Sequence, residues 1–186
     1  MRDVDDHGIR SLPPVAAANP CPCGWLGSIA RECTCSRHAI ERYRARLSGP
    51  LLDRIDLQVQ VQPVTLKELR STDPGEPSAR MRDRVVAARE RQRARLEPFG
   101  IHCNAEMSTS VMRATCKLDS TNEAVLSEIV EARRTLTARS IDRMIKVSRT
   151  LADLEGAEQI CTSHLVDAAM FRTSDPLADP ILDAVT

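Results

Sequence analysis

A chain of 186 residues, 42% apolar and 28% charged, suits one soluble domain or two small ones and is too short for a large multidomain machine. Its 26 Lys and Arg balance 26 Asp and Glu, which excludes a protein-wide field for polyanions and confines any nucleic-acid surface to a patch. Three of the basic residues are lysines (Lys67, Lys117, Lys146), leaving 23 arginines, a bias that suits bidentate phosphate contact and that genome base composition also produces. No stretch approaches the roughly 18 to 20 apolar residues of a membrane span, and the N-terminus Met1-Arg-Asp-Val-Asp-Asp lacks the apolar run of a signal peptide. A cytoplasmic protein without membrane contact is expected. Its seven cysteines, four of them packed between residues 21 and 35, then read as metal ligands or reduced thiols before they read as disulfides.

Composition divides the chain unequally. Residues 1–63 hold the small apolar run Val15-Ala16-Ala17-Ala18, the cysteine cluster and the segment Ile55 to Gln62. There Leu57, Val59 and Val61 alternate with Gln58, Gln60 and Gln62, a period of two that predicts a strand with one wet face, ended by Pro63. Residues 71–78 are a turn-rich linker. Ala79 to Leu96 follows with no glycine or proline and predicts a helix stopped by Pro98 and Gly100. That stretch to Glu97 carries seven arginines against three acids, a charge pattern that an ordinary solvated helix face also gives.

Beyond Leu118 the period is helical throughout. Ser120 with Glu123 forms a capping box ahead of Val125, Leu126, Ile129 and Val130. Thr137 to Glu155 places Ile141, Met144, Ile145, Ser148, Leu151 and Leu154 on one stripe, with Gly156 as the stop. A last helix is expected from a Ser163 cap to about Phe171, followed by a frayed tail. The second half is thus a helical bundle of about 75 residues, near the lower size for an independent domain. The expected fold is mainly α with a small α/β remnant.

Cys21-Pro-Cys23 and Cys33-Thr-Cys35 are two Cys-x-Cys units, and four thiolates close the tetrahedral shell of a structural zinc. The single-residue spacing is tighter than the usual knuckle, so His38 is an alternative fourth ligand. Reduced free thiols or a redox disulfide are the competing readings. Without a carboxylate or histidine inside the cluster to keep a position open, the site is structural, contributing on the order of 10 kcal/mol of folding free energy. Cys103, Cys116 and Cys161 are scattered and read as small buried hydrophobes.

Val15-Ala-Ala-Ala-Asn-Pro-Cys-Pro-Cys-Gly24 and Arg42-Tyr-Arg-Ala-Arg-Leu-Ser-Gly-Pro-Leu-Leu-Asp-Arg-Ile-Asp56 strongly resemble the magnesium-chelatase-like AAA+ ATPases called YifB or ComM. Met107-Ser-Thr-Ser and the run from Leu136 to Glu155 resemble that family's C-terminal helical lid, so the likeness covers about residues 15–172. It implies the end of an AAA+ core with its zinc knot and finger strand over 1–63, a linker and connector helix over 64–97, a helical lid over 98–175, and a disordered tail over 176–186. It implies as well a hexameric homo-oligomeric ring that binds ATP and Mg²⁺ and drives DNA branch migration during natural transformation. Asn19 matches the sensor-1 residue that orients the attacking water, although Asn19-Pro20 could simply end a strand. Arg54 matches the arginine finger that reaches a neighbouring subunit's nucleotide, its competing reading being a pair with Asp53 or Asp56. Such fingers contribute about 10³- to 10⁵-fold in rate. Arg139 matches sensor 2 on the lid, and Arg143, one turn on, is the second candidate; either could be a plain solvated arginine.

Part of the family pattern is missing. None of the seven glycines is followed by Lys-Ser or Lys-Thr, so the G-x-x-x-x-G-K-[ST] phosphate cradle is absent from this sequence. No apolar strand runs into an acidic pair for Mg²⁺, and Ile9 to Pro14 departs from the family's approach to the sensor asparagine. The resemblance therefore implies a C-terminal portion that does not hydrolyse ATP alone, its P-loop supplied by a separate polypeptide or by a longer natural product, and in which the strand at Ile55 would be an edge without a sheet. The alternative is an independent zinc-containing nucleic-acid-binding module using Arg31, Arg37, Arg42, Arg44 and Arg46 against Glu32 and Glu41, with few aromatic rings for base stacking. The four histidines form no metal pattern and no G-x-S-x-G elbow occurs, so no other catalytic constellation is evident.

Overall fold

The chain divides after Arg46 into two units, Met1–Arg46 and Leu47–Thr186, and different forces order them. The computed structural model describes residues 14–28, 31–46, 51, 54–61, 64–70, 75–133 and 136–172, the side chains of residues 67 and 68 excepted. Among them the regular elements are helices, and no strand occurs.

The first unit is built from tight turns. Gly24 N–H closes on the Cys21 carbonyl at 3.0 Å and Ser28 N–H on Trp25 at 3.0 Å. Gly24 takes a left-handed φ of 81°, a conformation that costs little only without a Cβ. Helix α1, Arg37–Arg44, starts where the Ser36 hydroxyl accepts from Ala39 N–H at 3.3 Å. Its buried side chain is Ile40, which with Cys21 makes up the apolar interior described for this unit. Val15 to Asn19 is exposed and does not form the expected strand, since no ladder partner lies beside it among the described residues.

The second unit is a helical bundle. After the short α2, Leu66–Leu69, helix α3 spans Ser78–Leu96. Its first turns are exposed on all sides, and Ala88, Gln92 and Leu96 form the buried stripe at four-residue spacing. A 3₁₀ turn at Glu97–Phe99 and Gly100 at φ 68° end it, as the Pro98 and Gly100 signals require. Helix α4, Thr109–Thr115, is capped by Ser108, a start that the sequence reading did not include. Helix α5 is Ser120–Ala132, and its cap is Asp119, one residue earlier than expected, accepting from Asn122 N–H at 2.8 Å.

Helix α6, Ala138–Glu155, runs from a Thr137 cap to Gly156 at φ 81°. A Cβ at Gly156 would also come within 3.1 Å of the Arg91 guanidinium, so both backbone and space select glycine. Helix α7 is Thr162–Met170; its cap is Cys161 rather than Ser163, with His164 Nδ1 accepting from Cys161 N–H at 2.9 Å. His164 Nε2 lies 2.9 Å from Glu155 Oε2, so the ring carries its proton on Nε2 when neutral.

Helix α6 packs on α7 and α3, and α7 packs on α5. Leu96, Met107, Met112, Cys116, Ile160 and Leu165 form one apolar cluster, and Met144, Ala168 and Ala169 a second. A charged node joins α3 to α6. Asp153 is fully buried and bonds Arg95 at 2.7 Å through each oxygen, Arg149 at 3.0 Å and Asn104 at 2.9 Å. The expected stripe is thus displaced: Leu154 is 38% exposed, while Arg149 and Asp153 face inward.

Residues 55–61 lie outside regular secondary structure. Leu57, Val59 and Val61 are exposed, and the expected strand is absent because no ladder partner lies beside it among the described residues.

Candidate metal centre and exposed arginines

The turn at Gly24 folds Cys21 and Cys23 back upon the second Cys-x-Cys unit. All four sulfurs lie within 4.8 Å of one another, with Cys21 to Cys23 at 3.4 Å, Cys23 to Cys33 at 3.5 Å and Cys21 to Cys33 at 3.7 Å. A Zn–S bond of about 2.3 Å in a tetrahedron gives sulfur–sulfur edges of about 3.8 Å. The cluster has nearly that geometry, and no disulfide is formed. His38 is exposed and not among the clustered ligands, so the four thiols alone make up the candidate shell.

Their electrostatics fit a cation. A hydrogen bond from the Trp25 backbone is the main cause that lowers the Cys23 thiol to about 6. The Cys35 backbone pulls Cys33 down, but desolvation and the neighbouring sulfurs push it up to about 12. Desolvation, followed by smaller opposed contacts, raises Cys35. One thiolate forms and its neighbours resist a second negative charge, a conflict that a bound divalent ion removes by ionising the whole set.

Asn19 is exposed, two residues before the first ligand, and a Cβ at Gly24 would lie 3.8 Å from its Cγ. Trp25 carries the Arg31 guanidinium 5.3 Å above its ring, and Arg37 pairs with Glu41 at 3.1 Å, so two arginines of the basic run have local partners. Arg42 and Arg46 are exposed and Arg44 is half-buried.

In the helical unit Arg54 and Arg139 are exposed, and neither guanidinium has an ion partner among the described residues. Arg143 differs: its Nη1 lies 2.9 Å from Asp56 Oδ1, with side-chain exposures of 19% and 53%. Asp56, considered above as a partner of Arg54, pairs instead with the lid helix, while Asp53 lies outside the described residues. Sequence reasoning missed this contact and Arg172, which donates to Ile55 O and Ser140 Oγ at 3.3 Å each. No spacing rule links residues so distant in the chain.

The helical unit, with its long α3 and capped α6, corresponds to a known class. Residues 75–172 match the family model described as magnesium chelatase, subunit ChlI C-terminal, and residues 11–69 match magnesium chelatase, subunit ChlI. The chain belongs to this magnesium-chelatase-like family, a branch of the AAA+ proteins, and within it to the YifB/ComM type.

Competence protein ComM of Haemophilus influenzae is 38% identical over 160 residues, covering 85% of this chain and 30% of its own length. The uncharacterized protein YifB of Escherichia coli is 37% identical over 166 residues, covering 88% of this chain and 31% of its own. An uncharacterized Mycobacterium tuberculosis protein is 36% identical over 158 residues, covering 85% and 31%. The chain therefore spans about a third of the length of these relatives. No helix among the described residues is long and apolar enough to cross a membrane.

Proposed function

We propose that this chain supplies the sensor, finger and lid of an AAA+ ATPase that drives DNA branch migration, and that it hydrolyses no ATP alone. One observation carries the reading: Arg54 and Arg139, at the positions that resemble finger and lid motifs, are exposed cations without an ion partner among the described residues, in a sequence without a P-loop. Sensors and a finger act on phosphates that another segment must bind.

In the complete ring, a hexamer, Arg54 extends to the γ-phosphate held by the neighbouring subunit. Its guanidinium stays charged and contacts phosphate oxygens as transition-state charge develops. Arg139 contacts the nucleotide from the lid, with Arg143 as the second lid candidate, and Asn19 orients the attacking water. ATP and Mg²⁺ are held by a P-loop and acidic pair on a separate P-loop polypeptide or a longer form of this one. The exposed Leu57, Val59, Val61, Val64, Leu66 and Leu69 support this reading as a surface that an ATPase core would cover.

Cys21, Cys23, Cys33 and Cys35 hold a structural zinc that ties the loop beside Asn19. Bound zinc supplies the positive charge that keeps four thiolates together and takes no part in hydrolysis. The cytoplasm, where thiols stay reduced, suits such a site.

Phosphate release tests the proposal. The purified chain should give no Mg²⁺-dependent turnover, and adding the P-loop half of a relative should create it. Arg54→Ala should then reduce that turnover by about 10³-fold or more. Metal-dependent hydrolysis by the pure chain alone would overturn the reading.

A further inference from the structure

An exposed extended segment cannot hold an arginine in place by itself, because its backbone keeps most of its conformational freedom. Yet the segment following Arg54 is pinned at three points within four residues. Ile55 O accepts from Arg172 Nη1 at 3.3 Å, Asp56 pairs with Arg143 at 2.9 Å, and Gln58 N–H donates to Phe171 O at 2.9 Å. The two side chains and the one carbonyl that do this come from α6 and from the two residues that follow α7.

Arg172 has a second bond. Its Nη2 donates to Ser140 Oγ at 3.3 Å, and Ser140 is the buried chain neighbour of Arg139. Arg172 is 6% exposed, and its own carbonyl accepts from Arg133 Nη1 at 2.8 Å, which fixes its backbone. A single buried guanidinium thus touches the residue next to each exposed arginine. The planar fork makes this possible, since its two terminal nitrogens diverge in fixed directions and a lysine ammonium offers one point.

We infer that Arg172, together with the Asp56–Arg143 pair, is a positioning device that holds Arg54 at a set distance from Arg139. The inference rests on the reading of those two arginines as nucleotide-facing. Arg172 and Asp56 touch no nucleotide in this scheme, and Arg143, paired with Asp56, leaves the lid contact to Arg139; together they transmit the lid's position to the finger. A lid movement then carries Arg54 with it, so nucleotide contact at Arg139 and finger placement change together.

Residue-resolved amide exchange on the whole metal-loaded chain tests the device, with Gln58 N–H as the reporter. Asp56→Asn should speed Gln58 exchange about 2- to 5-fold, the range for opening a half-exposed ion pair. Arg172→Lys should speed it about tenfold, as expected for losing a buried charge-assisted bond. The charge-reversed double variant Asp56→Arg, Arg143→Asp should restore the original rate, and amides of Met144 and Leu165 should be unchanged in Asp56→Asn. Unaltered Gln58 exchange, failed restoration, or core amides accelerating in step would each overturn the proposal.

A second measurement reads positioning rather than stability. In the ATPase formed with a P-loop polypeptide, Asp56→Asn should lower kcat at unchanged KM, and the reversed pair should recover it. If Arg54→Ala abolishes turnover while Asp56→Asn leaves kcat intact, the device falls and the finger stands. If the exchange results hold but Arg54→Ala spares turnover, the finger reading falls and the positioning role falls with it.

Discussion

The two units solve the problem of folding a small domain in opposite ways. The helical unit buries two apolar clusters and a four-member polar node between capped helices. The cysteine unit has Cys21 and Ile40 as its described apolar interior, far less than a segment of its size needs to offset chain entropy. Its turns converge on four sulfurs instead. On the proposed reading a metal ion replaces the missing core in one unit, while packing and buried charge order the other.

Removing the metal gives the largest separation between them. Chelation, or Cys33→Ser, should unfold the first unit, because structural zinc contributes on the order of 10 kcal/mol at such sites. Backbone resonances of residues 14–46 should collapse to random-coil positions while those of α4 to α7 stay in place. Native mass measurement should show one metal per chain lost in parallel. A first unit that keeps its dispersed spectrum without metal would break the contrast.

The reciprocal experiment acts on the bundle. Asp153→Ala leaves Arg95 and Arg149 without their shared carboxylate in a buried setting, which costs about 3 to 5 kcal/mol. Urea unfolding followed by helix signal should show the loss, with metal content unchanged. Asp153 is fully buried, so a surface-like effect of a few tenths of a kcal/mol would mean that the node carries little of the packing between α3 and α6.

Much of this was legible beforehand where local chemistry decides structure. Thr137, Gly156, Pro98 and Gly100 mark their helix ends correctly, because a cap hydroxyl or a left-handed glycine works within a single turn. The four clustered thiols follow from spacing in the same way. Reading failed where a distant partner decides. The alternation from Ile55 to Val61 has the period of a strand, but period alone supplies no neighbouring ladder. Polarity placed Asp153 and Arg149 outside the stripe, yet each satisfies the other at four-residue spacing and both turn inward. Ser120 and Ser163 carry valid capping groups, and Asp119 and Cys161 take the positions one and two residues earlier. The contact of Arg172 with Ile55 and Ser140 leaves no local trace in the sequence at all.

The exposed run sharpens the comparison from outside both interiors. Replacing Leu57, Val59 and Val61 with threonine should change the bundle's stability by no more than about 0.5 kcal/mol per site, since these side chains are already in water. The same change should weaken association with a P-loop polypeptide, read by sedimentation. A large loss of stability in the isolated chain would show that the run already packs inside the bundle.

The smallest expected effect is a pH dependence within the bundle. Glu106 accepts from His102 N–H at 2.8 Å, and this bond is the main cause holding its carboxyl below the ordinary value of 4.5. Because the folded group is the stronger acid, the unfolded chain binds its proton first as pH falls. The contribution is therefore complete above the unfolded value and is lost as pH drops through the lower folded value. Glu106 is exposed, and solvent screening limits the gain to below about 1 kcal/mol. Glu106→Gln should flatten stability between pH 5 and 3 by that amount, measured as the urea midpoint at each pH, and leave the pH 7 difference as its full size. An acid limb that is identical in wild type and Glu106→Gln would show that the His102–Glu106 bond contributes nothing to the acid sensitivity of the bundle.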